Sequence, residues 1–199
     1  MDLTRRQGKH RQLLQLIDHA RTQTLFSSEE LVRLSHVCRE LPFAHAPAAK
    51  AALTAALQLM RSQPQQPPPM ESMASTIRQL YELSNDEEAL GLLADVIHFM
   101  RDKTAEYPRK EMRWLVSTAW NRGCRNAKFL MHAQALPFMT AALDLMDTSD
   151  VYKENREVMA KSLEAVKDEV QSLQQKMGEA APAKHAAIPA GLGFGKMDT

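Results

Sequence analysis

The sequence predicts an all-α protein, and three observations predict it. Ala, Leu, Met, Gln, Glu, Lys and Arg dominate the chain, and these are good helix formers. Aromatic residues make up only 6% of the 199 positions, which is not the β-branched and aromatic composition of a sheet. Of seven glycines, three fall in the last nine positions, so the body of the chain has few backbone breakers. Hydrophobic residues amount to 44%, enough to build a core.

The elements follow in order. Residues 3–21 read as a first helix, with Leu13, Leu14, Leu16, Ile17 and Ala20 on one stripe. Ser27 with Glu30 matches a capping box and opens a second helix reaching about Glu40. Its inward positions are Leu31, Leu34, Val37 and Cys38. Pro42 and Pro47 bracket a short connection, and a third helix runs from about Ala48 to Arg61. In the run SQPQQPPP at 62–69 the prolines remove backbone donors and fix φ, so it reads as an extended spacer, with a ligand for a proline-binding domain as the alternative.

Helices resume over 70–83. Ser84, Asn85 and Asp86 supply caps for the next, over 87–103. Tyr107-Pro108 marks the start of a long helix ending near Phe129, because proline suits a first turn. Its partner covers 132–146, with Pro137 awkwardly inside and its boundary therefore open. Residues 147–150 form a turn. The charged helix at 151–177 carries Met159, Leu163, Val166, Val170, Leu173 and Met177 at alternating spacings of four and three, a heptad seam. It reads as a cap on the last hairpin, with a dimeric coiled coil as the alternative. The Ala-, Gly- and Pro-rich end is expected to be disordered.

These elements divide the chain into N-terminal helices with a first hairpin (1–62), a linker (63–69), helical hairpins (70–147), a capping or coiled-coil helix (148–178) and a tail (179–199).

An internal echo supports hairpins. Residues 54–60 read TAALQLM and 140–146 read TAALDLM, with the looser ADVIHFM at 94–100 between them. The segments end at Met60, Met100 and Met146, giving periods of 40 and 46. In the stretch 114–146, Gly123, Ala135 and Ala142 lie twelve and seven residues apart. That is the small-residue spacing of a tetratricopeptide (TPR) type hairpin, whose two helices approach closely. Trp114, Trp120, Phe129, Phe138 and Met139 read as hairpin core. The architecture expected is a short solenoid of irregular TPR-like hairpins closed by a long C-terminal helix.

Little in the chain suggests chemistry. Net charge is +1, so no global field favours nucleic acid or an acidic membrane. The basic cluster Arg5, Arg6, Lys9, His10 and Arg11 has no aromatic residue beside it and reads as a solvated helical turn. Cys38 and Cys124 are far apart, which argues against a disulfide framework and for a reducing compartment. The first residues lack the apolar core of a signal peptide, and no apolar run approaches the ~18 residues of a membrane span. A soluble protein of cytosol or nucleus is expected.

The seven histidines form no HExxH motif and no zinc-site spacing with cysteine. The nearest cluster, His36, Cys38 and His45, reads as packing and solvation. No phosphate-binding loop or nucleophile elbow occurs. The Gly191–Gly195 run has neither a strand before it nor a helix after it, leaving a short docking motif as its only functional reading. No catalytic residue, metal ligand or cofactor is expected, and no direct contact with nucleic acid or membrane.

The candidate partner-binding residues are Arg113, Arg122, Arg125 and Asn126. Arg122 and Asn126 are four apart and share a helix face. In a TPR-like array the first helix of each hairpin lines the concave face. Guanidinium and amide groups there can grip the carboxylates or main chain of an acidic peptide. A solvated helix face is the competing reading.

Arg113-Trp114-Leu115, Thr118-Ala119-Trp120-Asn121-Arg122-Gly123, and Ala135-Leu136 with Ala141-Ala142-Leu143 resemble the carboxy-terminal repeats of the meiosis-specific TPR family. That family comprises the sporulation and synapsis-initiation scaffolds of yeast and plants and their testis-expressed animal relative. Tyr107-Pro108 before the long helix fits the same pattern. The resemblance covers about a fifth of the chain well and 70–177 loosely. It implies a non-catalytic scaffold of the nucleus that binds other proteins to promote crossover formation and synapsis. Family members are several times longer, so the resemblance implies their terminal part alone, a truncated gene product or a divergent short relative. Trp114, Trp120, Asn121, Gly123 and Ala135 would then be structural. The alternative is a generic TPR-like adaptor, a co-chaperone or complex subunit unrelated to meiosis.

Overall fold

The computed structural model describes residues 11–12, 14–19, 26–40, 45–62, 70–102 and 106–179, with side chains through 176. Among them the regular structure is helical, with no strand. Residues 11–12 and 14–19 belong to α1. There follow α2 (Ser28–Glu40), α3 (Ala46–Ser62), α4 (Met70–Glu82), α5 (Asp86–Arg101), α6 (Arg109–Lys128), α7 (His132–Asp147), a 3-10 turn (Lys153–Asn155) and α8 (Arg156–Glu179). The expected 63–69 spacer lies outside the described residues, as does the tail from 180 onward.

Local chemistry sets the helix starts. The Ser27 hydroxyl accepts from the Glu30 amide at 3.2 Å, and the Glu30 carboxylate accepts from the Ser27 amide at 2.8 Å. Asn85 and Glu88 make the same reciprocal pair at the start of α5, both bonds 3.0 Å. Each box satisfies two amides that a helix terminus leaves open. α3 starts earlier than the expected Ala48. His45 Nδ1 accepts from the Ala48 amide at 3.0 Å, which places Pro47 inside the first turn, where its missing N–H costs nothing.

Pro137 lies well inside α7, and the helix continues through it. Pro137 and Ala133 are both exposed, so the carbonyl that loses its donor lies on the solvent side.

α8 begins at Arg156 rather than 151. Tyr152 adopts a left-handed conformation (φ 55°), which interrupts the helix and turns Val151 into the core. Asp147 then receives a bidentate pair from Arg156, joining the end of α7 to the first residue of α8.

The main core draws Leu53, Leu57 and Met60 of α3 together with residues of α4, α5, α6 and α7, plus Val151 and Leu163. The other face of α3 is alanine: Ala48, Ala49 and Ala52 pack with Ile17 and Cys38, and Ala55 and Ala56 with Leu31. Small side chains let α2 approach α3 closely.

Three inward assignments are corrected. Leu16 of α1 and Phe129, expected in the hairpin core but lying just past the end of α6, are exposed, and Val37 is exposed because the buried row of α2 is Leu31, Ser35 and Cys38 at i, i+4, i+7. The buried Ser35 hydroxyl bonds the Val32 carbonyl at 2.6 Å, so it carries no desolvation penalty.

Packing follows chain order: α2 with α3, α4 with α5, α6 with α7, then α3 with α4, α4 with α6, α5 with α7, and α7 with α8. Ion pairs add further ties, Lys50 with Glu88 and Arg61 with Asp95 between α3 and α5, and Arg101 with Asp144 between α5 and α7. Only the first half of α8 is anchored: Met159, Leu163 and Val166 reach the core, while 171–176 are exposed. No helix among the described residues is long and apolar enough to cross a membrane.

Candidate functional site on helix α6

α6 has two faces with different employment. The inner one carries Arg122 and Asn126, expected from the sequence to face a partner. Arg122 pairs instead with Asp86, the first residue of α5, and its Nη2 lies 3.4 Å from the Ser84 carbonyl. Its guanidinium sits 5.0 Å from the centre of the Phe138 ring and 5.6 Å from that of Tyr81. Asn126 is buried and donates Nδ2 to Asp86 at 3.3 Å. Both residues therefore hold the two hairpins together, which corrects the expectation of free groups. Their carboxylate lies up to 40 residues away in the chain, beyond the reach of helical periodicity.

Trp114 extends this inner face. Tyr81 meets it edge-on with ring centres 5.6 Å apart, and the Arg78 guanidinium lies 4.7 Å from the centre of its ring. Arg78, Trp114, Tyr81, Arg122 and Phe138 thus form one continuous chain of cation–ring and ring–ring contacts across α4, α6 and α7. Each stacked cation–ring contact contributes about 0.5–2 kcal/mol, more as water is excluded.

At Gly123 helix α6 lies directly against the backbone of α7. A Cβ there would stand 3.1 Å from the Ala135 carbonyl oxygen and 2.5 Å from Met139 Cγ. Ala135 and Ala142 are fully buried on α7. Trp120 is half-buried beside the core.

The outer face carries the ridge Arg113, Ser117, Asn121 and Arg125, four residues apart at each step. Arg113, Asn121 and Arg125 are exposed. Val116, Ser117, Trp120 and Asn121 form one wall of a groove of about 480 Å³. Tyr152, Asn155, Val158 and Met159 form the other. The Ser117 hydroxyl bonds the Tyr152 hydroxyl at 3.1 Å, and the Arg113 guanidinium lies 5.8 Å from the centre of the Tyr152 ring. Arg113, stacked on Tyr152, thus stands beside the groove, and Arg125 follows Asn121 one turn further along the ridge. Its second wall was not legible in the sequence, because the left-handed turn at Tyr152 uses no glycine.

At the end of α6, Phe129, Leu130 and Met131 are consecutive exposed apolar residues. Leu130 has φ 59°, with bonds from the Leu130 amide to the Ala127 carbonyl and from the Met131 amide to the Asn126 carbonyl, both 2.9 Å. This is the Schellman closure of a helix, with leucine where glycine is usual.

Cys38 is buried, His36 is exposed and His45 caps α3, so the cluster noted in the sequence is divided. Burial raises the Cys38 and Cys124 thiols above their ordinary value, opposite to activation. Among the described residues no group of three His, Cys, Asp or Glu side chains could hold a metal ion. Comparison with known proteins gives no matching family model, no matching characterised protein and no matching solved structure.

Proposed function

We propose that the chain is a non-catalytic protein-interaction scaffold, a short stack of TPR-like hairpins closed by α8, that supports meiotic crossover formation and chromosome synapsis. The observation that carries the scaffold reading is the packing order. The pairs α2–α3, α4–α5 and α6–α7 each pack internally, and α4 with α6 and α5 with α7 join one pair to the next. Scaffolds of stacked helix pairs bind partners along exposed helix faces, and the outer ridge of α6 offers such a face. The meiotic part, with its nuclear location, rests on the likeness at Arg113–Gly123 and Ala135–Leu143 alone.

The test is affinity purification of the tagged protein from meiotic and vegetative cells. Crossover and synapsis proteins recovered only from meiotic cells support the whole reading. Chaperones, or one constitutive complex in both, replace it with a general adaptor. The absence of any reproducible protein partner in either extract removes the scaffold reading itself.

A further inference from the structure

We infer that the groove between α6 and the start of α8 binds a short peptide segment with one large apolar side chain flanked by acidic residues. The inference rests on the scaffold reading and names the chemistry of its ligand.

Three observations carry it. First, the groove has an apolar floor and amide rims. Trp120, Val158 and Met159 offer carbon surface over the buried Val116, while Asn121 and Asn155 stand on opposite walls. A carboxamide both donates and accepts, so two of them can pair with the N–H and C=O of an extended main chain. Second, Val158 is 67% exposed at the edge of this depression, so its side chain is open to contact by a ligand seated there. Third, the charge along α6 is one-sided. Its exposed charged residues are Arg109, Lys110, Arg113, Arg125 and Lys128, and its one acidic residue, Glu111, is half-buried beside Arg78. Lys110, Arg113, Arg125 and Lys128 form no ion pair among the described residues. A ligand lying along the ridge therefore meets a cation at both ends, and carboxylates flanking its apolar residue complement them.

The groove volume suits one anchoring side chain and its adjoining main chain. The Ser117–Tyr152 bond and the Arg113–Tyr152 stacking hold its wall in place without the ligand. A pre-formed wall lowers the ordering cost of binding.

The test uses the full chain and random nine-residue peptides displayed on phage. Selected sequences are synthesised with fluorescein and titrated by fluorescence anisotropy against wild type, Val158→Asp, Asn121→Ala with Asn155→Ala, and Arg113→Glu. All altered side chains are exposed, and circular dichroism checks that helix content is retained. Selection is expected to enrich Asp and Glu on both sides of a single Leu, Phe, Met or Trp. Val158→Asp is expected to weaken binding about tenfold or more, Arg113→Glu about three- to tenfold, and the wild-type affinity is expected to fall as salt is raised.

No enrichment overturns the inference. Enriched peptides whose affinity is unmoved by Val158→Asp also overturn it, while leaving the scaffold reading intact. A concentration-dependent dimer abolished by Val158→Asp gives the groove to a second copy of the chain and overturns the peptide assignment. Failure of the scaffold reading shows separately, in the extracts.

Discussion

The backbone of Gly123 faces the carbonyl of Ala135 with no space for a side chain: a Cβ at 123 would lie 3.1 Å from that oxygen. It would also lie 3.1 Å from the Met139 amide nitrogen, and these backbone atoms of α7 cannot yield as a flexible side chain can. Gly123→Ala is therefore expected to cost about 1–3 kcal/mol by overpacking, although alanine is the better helix former. Thermal melting followed by circular dichroism checks this. A variant as stable as wild type would show that α6 and α7 are not in this register.

The same helix shows what the sequence could and could not reveal. Gly123, Ala135 and Ala142 were legible, because close helix approach demands small residues at fixed spacing. The boxes at Ser27–Glu30 and Asn85–Glu88 were legible too, since each lies within one turn. The role of Arg122 was not. Its partners Asp86, Tyr81 and Phe138 come from three other helices, so only hairpin-on-hairpin packing turns the guanidinium inward. Arg113 and Arg125 are exposed on the outer ridge, but the opposite wall depends on Tyr152. Nothing in the residue type announces a left-handed tyrosine. Val37 and Leu16 were misplaced because an apolar residue beside a buried stripe need not belong to it.

Arg122 and Asp86 should behave as one unit. The Arg122 side chain is only 16% exposed and that of Asp86 38%, placing the pair between the surface and buried extremes. Replacing Arg122 by Ala is expected to cost about 2–3 kcal/mol, combining the lost pair with the lost cation–ring contacts. Asp86→Ala should also destabilise, because it leaves both the Arg122 guanidinium and the buried Asn126 amide without their carboxylate. Urea denaturation of both single variants and the double variant closes a thermodynamic cycle. A coupling energy near zero would remove the pair from the inter-hairpin interface.

The link between α7 and α8 should be sensitive to acid. The hydrogen bond from Arg156 holds the Asp147 carboxyl below its ordinary value of 3.8. A carboxyl lowered in the folded state contributes stability that is complete above its unfolded value. The contribution disappears as pH falls through the lower folded value. Limited proteolysis of the 148–155 turn should thus accelerate only near the acid end in wild type. Asp147→Asn should be cut more rapidly at neutral pH and respond less to acid. Equal cutting of the two proteins at pH 7 would show that the pair does not secure the turn.

Leu130 is a residue that stability alone does not explain. Its φ of 59° costs an L-residue about 1–2 kcal/mol relative to glycine, and 70% of its surface is exposed, so burial returns little. Leu130→Gly is expected to raise stability by about 1 kcal/mol, a change that chemical denaturation resolves. With Phe129 and Met131 it forms an exposed apolar run just after the cationic Arg125 and Lys128. The gain in stability should therefore come with unchanged peptide affinity in the α6–α8 groove, because Leu130 lies outside its walls. A loss of stability in Leu130→Gly would mean that the side chain is held by packing, and that the left-handed turn is set by more than the helix closure.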